Sequence, residues 1–350
     1  MRYLLALVLA VLISWLLTPL ASKLAVKLGA VDQPTGGRKI HTRPIPRLGG
    51  VAIAAAFITT VLIMGPITRP LIALLLAAIV LVMVGVADDR HSLSPWVKLV
   101  WQVAAAGIAL AGGLGITAIS KPLGGFLAIT WGRHLFNLGP LHFHITPIAN
   151  LLSIIWIVGL VNAVNFLDGI DGLACGVSGI ACFFLFALAV SVHQPAVAVL
   201  AIAGFGAALG FLPFNFFPAR IFLGDSGAYF LGLILALLAI YSGGKLATAV
   251  LVLGFTIVDG LITVLRRLYH RSSPFKADRS HLHHLLLDFG FTQRQTVILY
   301  YAIAIGLGTL ALMSGTLVKV AAIALLGLAT ALLVAILIRF SARQAAGQLK

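Results

Sequence analysis

The chain has 350 residues, of which 61% are hydrophobic and only 9% are charged. That balance lies outside the range of soluble globular domains. A formal net charge of +15 invites a nucleic-acid reading, but basic residues spaced between long apolar runs set membrane topology instead, and no nucleic-acid partner is expected.

Eleven apolar runs follow one another, each long enough to cross a hydrocarbon core of about 30 Å as a helix. They fall near 3–21, 49–67, 70–87, 98–118, 147–167, 173–192, 195–213, 226–243, 246–265, 296–314 and 317–338. The first is long for a signal peptide and leads into a basic loop, so it reads as a spanning helix. The expected fold is all-α, a polytopic integral membrane protein of about eleven transmembrane helices forming a single domain over 1–350.

Assigning loops alternately to the two sides places eighteen Lys and Arg on the side reached after the first helix and six on the other. The positive-inside rule makes the richer side cytoplasmic, with the N-terminus outside and the C-terminus cytoplasmic. External loops are short except 119–146, which suits a small hairpin or an interfacial cap. All nine acidic residues are aspartates, and each lies in a cytoplasmic loop or at a helix end entering one. Asp259 lies deepest, about a turn and a half inside the ninth run, with no evident role. Cys175 and Cys182 sit seven residues apart on one run, roughly 10 Å along its axis, too far for a disulfide.

The polar residues gather into clusters. Asp88 and Asp89 close the third run, and adjacent carboxylates cannot face the same way on a helix. One is expected to engage a cation or substrate and the other to hold structure; the alternative is a solvated helix end paired with Arg90. Lys98 follows as a phosphate contact. Asn162, Asn165, Asp168 and Asp171 recur every three residues, a polar stripe closing the fifth run, with Gly169 and Gly172 allowing a break. Such groups at membrane depth must face a cavity or each other. Asp225 and Ser226, after Asn215 and Phe222, either cap the eighth run or present a carboxylate to a hard cation such as Mg2+. His281, His283 and His284, with Lys276 and Arg279 before them, read as phosphate contacts or as a plain basic loop. A zinc site built from His281 and His284 on one helical face lacks further ligands. Lys39, His41 and Arg47 make the first loop cationic. One cytoplasmic site rich in carboxylates and cations suits a reaction between a soluble anionic substrate and a lipid-borne one.

Five segments in order, RKIHTRPIPRLGG, ADDR with Lys98 and Gln102 following, NAVNFLDGIDGLA, FNFFPARIFLGDSG and SPFKADRSHLHHLLLDFGFTQRQ, resemble the polyprenyl-phosphate N-acetylhexosamine-1-phosphate transferases. The His281-Leu-His283-His284 spacing resembles the undecaprenyl-phosphate GlcNAc-1-phosphate branch more than the MurNAc-pentapeptide one. The resemblance implies transfer of GlcNAc-1-phosphate from UDP-GlcNAc to undecaprenyl phosphate with release of UMP, initiating cell-envelope polysaccharide synthesis at a bacterial inner membrane. It implies Mg2+, with Mn2+ as a substitute, held by Asp225. Asp88 and Asp89 correspond to the pair near the lipid phosphate, and Asn162, Asn165 and Asp168 to the lining of the site beside Lys98. Asn215, Phe222, Gly169, Ile170 and Asp171 correspond to uridine contacts. His281, His283 and His284 correspond to a histidine box near the sugar or pyrophosphate, and Arg279, Lys39, His41 and Arg47 are further expected substrate contacts. UDP-MurNAc-pentapeptide and other UDP-N-acetylhexosamines are the rival substrates. A nucleotide-sugar or lipid transporter is the remote alternative, and a homodimer is left open.

Overall fold

The computed structural model describes residues 1–34, 43–121, 125–129, 134–138, 141–242, 246–269 and 281–347. Its helices are α1 (Arg2–Leu28), α2 (Gly49–Met64), α3 (Arg69–His91), α4 (Pro95–Ala111), α5 (Pro147–Leu167), α6 (Leu173–Ser191), α7 (Pro195–Asn215), α8 (Gly224–Tyr241), α9 (Leu246–Val252), α10 (Gly254–Tyr269), α11 (Leu282–Asp288), α12 (Gln293–Met313) and α13 (Thr316–Gly347). The described residues also hold three antiparallel two-stranded ribbons. They pair β1 (Val31–Asp32) with β2 (Ile45–Pro46), β3 (Ala118–Ser120) with β4 (Phe126–Ala128), and β5 (His134–Leu138) with β6 (Leu141–Ile145). The segment between α4 and α5 thus holds two hairpins among its described residues.

Among the described residues eight helices are long and apolar enough to cross a membrane. The run expected at 246–265 is instead a pair of helices, α9 and α10, bent by 79°, the geometry of a broken span or a re-entrant loop. Counting the pair as one span gives nine, and α2 and α4 are shorter apolar helices. The stretch 266–295, which carries the three histidines and reads in the sequence as a cytoplasmic loop, is partly helical. Its first residues continue α10 and its last belong to α12, and α11 lies between them.

α8 is the centre of the fold. Its residues beyond Asp225 are apolar on every face, the pattern of a helix with protein on all sides, and nearly all are buried. It packs against α2, α3, α5, α6, α7 and α9. α1 shows the contrasting peripheral pattern. Ala6, Ala10, Ser14 and Thr18, spaced by four, are buried, and α7 is a principal neighbour of this helix. Leu4, Leu5, Leu12, Leu16 and Leu20 are exposed. Small residues let helices approach closely where lipid supplies no hydrophobic drive for association.

Close approach also sets the end of α8 that matters for chemistry. A Cβ on Gly85 of α3 would collide with the Ser226 backbone, and one on Gly50 of α2 with Gly227. The three helices therefore meet backbone to backbone at the start of α8. Hydrogen bonds from Gly49 N to the Phe222 carbonyl (3.1 Å), Gly50 N to Leu223 O (2.9 Å) and Phe222 N to Pro46 O (2.8 Å) fasten the first loop to the segment entering α8.

Candidate active site

Asp89 lies one turn beyond Gly85 on α3, so its side chain reaches the α8 N-terminus. Its carboxylate accepts from Asp225 N (2.9 Å) and Ser226 N (3.2 Å). The first N–H groups of a helix have no partner within it, and an anion there is favoured by the helix dipole. Asp89 is therefore the cap of α8, supplied from another helix. The capping role that the sequence offered to Asp225 is carried by Asp89, and the Asp225 carboxylate makes other contacts.

Asp88 turns elsewhere. It accepts from Lys98 Nζ (2.6 Å), Leu93 N (2.7 Å) and Tyr229 OH (3.1 Å). Lys98 Nζ is also 3.9 Å from Asp225 Oδ2, so one ammonium links the Asp88 and Asp225 carboxylates. Asn165 Nδ2 donates to Asp225 Oδ1 at 2.7 Å. The side chains of Asp88 and Asp89 are 2% and 0% exposed, whereas those of Asp225 and Lys98 keep 21% and 26%. Asp225 and Lys98 are thus the members that an incoming ligand can touch.

Arg47 bridges to the cluster from outside. Its guanidinium lies 3.7 Å from Asp89 Oδ1 and 3.8 Å from Asp32 Oδ1. Expected as a substrate contact, it is in this structure a counter-charge for the buried Asp89. Asp168, the C-cap of α5, is half-buried, and burial pushes its carboxyl up to about 7. Arg47 opposes that shift, Asp89 and Asp171 add to it, and the Gly224 N–H opposes it.

The stripe 162–171 does not stay on one helical face. α5 ends at Leu167, and Gly172 takes φ 79° before α6 starts. The four residues therefore fan out. Asn162 exchanges hydrogen bonds with Gln102 of α4 (2.7 and 3.4 Å) and donates to Val158 O. Asn165 meets Asp225. Asp171 accepts from Ala219 N at 2.9 Å. Asn215 accepts from Gly172 N (3.2 Å) and donates to Ile221 O (3.1 Å), tying the two loops together. Ile170 is buried, Gly169 exposed and Phe222 part-exposed. The two cysteines are free and buried.

His281 precedes α11 in an extended conformation (φ −68°, ψ 146°), so it does not share a helical face with His284. It turns to Asp259, at 3.1 Å. His283 is buried against Gly169. Burial holds its imidazole well below the usual range, with His284 and His281 adding to the effect. It is therefore neutral at ordinary pH. Among the described residues no group of three or more His, Cys, Asp or Glu surrounds a common point, so the zinc reading finds no support. Lys39, His41 and Arg279 lie outside the described residues.

Sequence reasoning missed Tyr229 as a member of these networks, and it singled out Gln102 after the Asp88–Asp89 pair without assigning it a partner. Tyr229 follows Asp225 by four, one helical turn, which was the available signal. Gln102 follows Lys98 by the same interval.

A model of glycosyl transferase family 4 matches residues 71–243. A probable undecaprenyl-phosphate N-acetylglucosaminyl 1-phosphate transferase of Bacillus subtilis is 34% identical over 309 residues, covering 86% of this chain and 82% of the relative. The chain belongs to glycosyl transferase family 4. This is the polyprenyl-phosphate transferase family that the five segments resemble. Other family members are a decaprenyl-phosphate N-acetylglucosaminephosphotransferase of Mycobacterium leprae, 31% identical with 83% and 78% coverage, and an undecaprenyl-phosphate alpha-N-acetylglucosaminyl 1-phosphate transferase of Salmonella typhi, 30% identical with 80% and 75% coverage. The family match spans Asp88, Asp89, Lys98, the 162–171 segment and Asp225. The described polar cluster therefore lies within the part of the chain that carries family membership.

Proposed function

We propose that the protein transfers GlcNAc-1-phosphate from UDP-GlcNAc to undecaprenyl phosphate and releases UMP, at the cytoplasmic face of a bacterial inner membrane. The carrying observation is the Asp88–Lys98–Asp225–Asn165 cluster at the N-terminus of α8. Relatives with high coverage bear names describing this reaction. The sidedness rests on the distribution of Lys and Arg, which puts the N-terminus outside.

The donor set fits a divalent cation of the Mg2+ type. Asp88 and Asp225 face each other with Lys98 between them, a surplus of negative charge beside a part-exposed carboxylate. Mg2+ characteristically takes one or two carboxylates and completes its shell from water and substrate phosphates. Asp225 would hold it, with Asp88 opposite and Asn165 fixing the Asp225 rotamer. Bound there, the ion would neutralise charge on the diphosphate and on the leaving UMP.

This chain's own residues do the rest. The Lys98 ammonium, held by Asp88, supplies positive charge where two phosphorylated substrates meet. The lipid phosphate, with a second pKa of about 6, is already mostly dianionic at neutral pH and needs little help to lose a proton. Asp88, engaged by three donors, positions Lys98. Asp89 and Arg47 keep the α8 N-terminus and its neighbouring loop in register. The reading is tested by incubating the purified protein with undecaprenyl phosphate, Mg2+ and each of several UDP-sugars. UMP release with UDP-GlcNAc supports it. Turnover confined to UDP-MurNAc-pentapeptide would assign the rival substrate.

A further inference from the structure

Asp259 is a buried aspartate that the proposed chemistry leaves unused, and its surroundings are specific. It lies on α10, buried, and accepts from two directions. Leu282 N donates to its Oδ1 at 2.9 Å, and His281 Nδ1 lies 3.1 Å from its Oδ2. Thr263, one turn further along α10, places Oγ1 at 3.5 Å from the same ring nitrogen. An ionised carboxylate only accepts hydrogen bonds, so the nitrogen facing it must carry the proton. The remaining nitrogen, Nε2, is then the one offered to other groups.

The contacts continue from His281 toward the cluster. Its ring lies 5.4 Å from Phe166, which stands between Asn165 and Leu167 on α5. It stacks on His283 at 5.7 Å with planes 6° apart. His283 in turn occupies the space where a Gly169 side chain would begin. Both its ring nitrogens are buried with no hydrogen-bond partner among the described residues, and it is packed against Gly169. One carboxylate on α10 thus anchors a chain of rings that ends on the loop carrying Asp168 and Asp171.

We infer that Asp259 is a positioning residue of the transfer reaction: it fixes the ring of His281 as the Nδ1–H tautomer and holds the histidine segment against the 168–172 loop. It acts through His281 and touches no substrate. This inference rests on the transferase reading, and its test separates the two.

Asp259→Asn is the informative variant. Its amide oxygen still accepts from Leu282 N, which leaves the NH2 group facing His281 Nδ1 and reverses the tautomer. In the full-length protein labelled with 15N-histidine, the His281 signals are identified by their loss in His281→Ala. The expected result is Nδ1 protonated in the wild type and Nε2 protonated in Asp259→Asn. The kcat of UMP release is expected to fall about tenfold or more, as when a carboxylate behind a functional histidine is removed. In the His281→Ala background the same substitution is expected to cause no further loss. An unchanged tautomer, or losses that multiply in the double variant, would overturn the inference. A wild-type protein without transferase activity would overturn the parent reading, and the tautomer measurement would still decide the Asp259–His281 relation.

Discussion

Asp88 and Asp89 are chain neighbours with opposite duties, and the difference can be measured. Asp89→Ala strands the first N–H groups of α8 and leaves Arg47 without its buried partner. Leaving helix N–H groups without their buried acceptor costs about 1–3 kcal/mol. A sharply lowered thermal midpoint is therefore expected, with activity lost alongside. Asp225→Asn should behave in the opposite way. Neutralising a carboxylate that faces Asp88 relieves repulsion, so the midpoint is expected to hold or rise while UMP release falls by about two orders of magnitude. Equal destabilisation by both variants would refute this division. Asp168 adds a pH signature. Its folded pKa, near 7, exceeds the unfolded value, so it costs stability progressively as pH rises from the ordinary Asp range through that value. Asp168→Asn is expected to match the wild-type midpoint at about pH 4 and to exceed it at about pH 8. The same gap at both values would show that the carboxyl does not titrate there.

At the scale of elements, the site depends on how closely α2, α3 and α8 approach. Gly85→Ala would put a methyl group into the Ser226 backbone, which cannot yield as a flexible side chain can. Separation of α3 from α8 would withdraw the Asp89 cap, and both thermal stability and kcat are expected to fall. Gly107→Ala on α4 meets nothing within 4 Å and is the control. It should be neutral, or stabilising by up to about 1 kcal/mol from helix propensity. The same elements show what sequence could and could not reveal. The 162–171 stripe was legible as polar residues at helical spacing, and the break was foreshadowed by Gly169 and Gly172. Its fan of partners was not legible, because each partner comes from a different helix. Nor was the cap on α8, whose acceptor and donors lie 136 and 137 residues apart. Asp259 resisted placement for the same reason: its partner histidine follows 22 residues later, beyond any helical period.

For the whole molecule, hydropathy located each apolar helix but misjudged the ninth run, because a local break leaves no trace in a windowed average. Charge distribution adds a topology that can be tested directly. Both native cysteines are buried, so a single introduced thiol reports on its own position. Ile67→Cys, between α2 and α3, is expected to react with an impermeant maleimide in intact cells, and Ser92→Cys, between α3 and α4, only after permeabilisation. The reverse pattern would put the site on the outer face. The central claim concerns which bond is broken. With UDP-GlcNAc carrying radioactive phosphorus at the β position, the account predicts that label and sugar enter the lipid together while UMP is released. Label leaving with the nucleotide as UDP would mean transfer of the sugar alone and would contradict it.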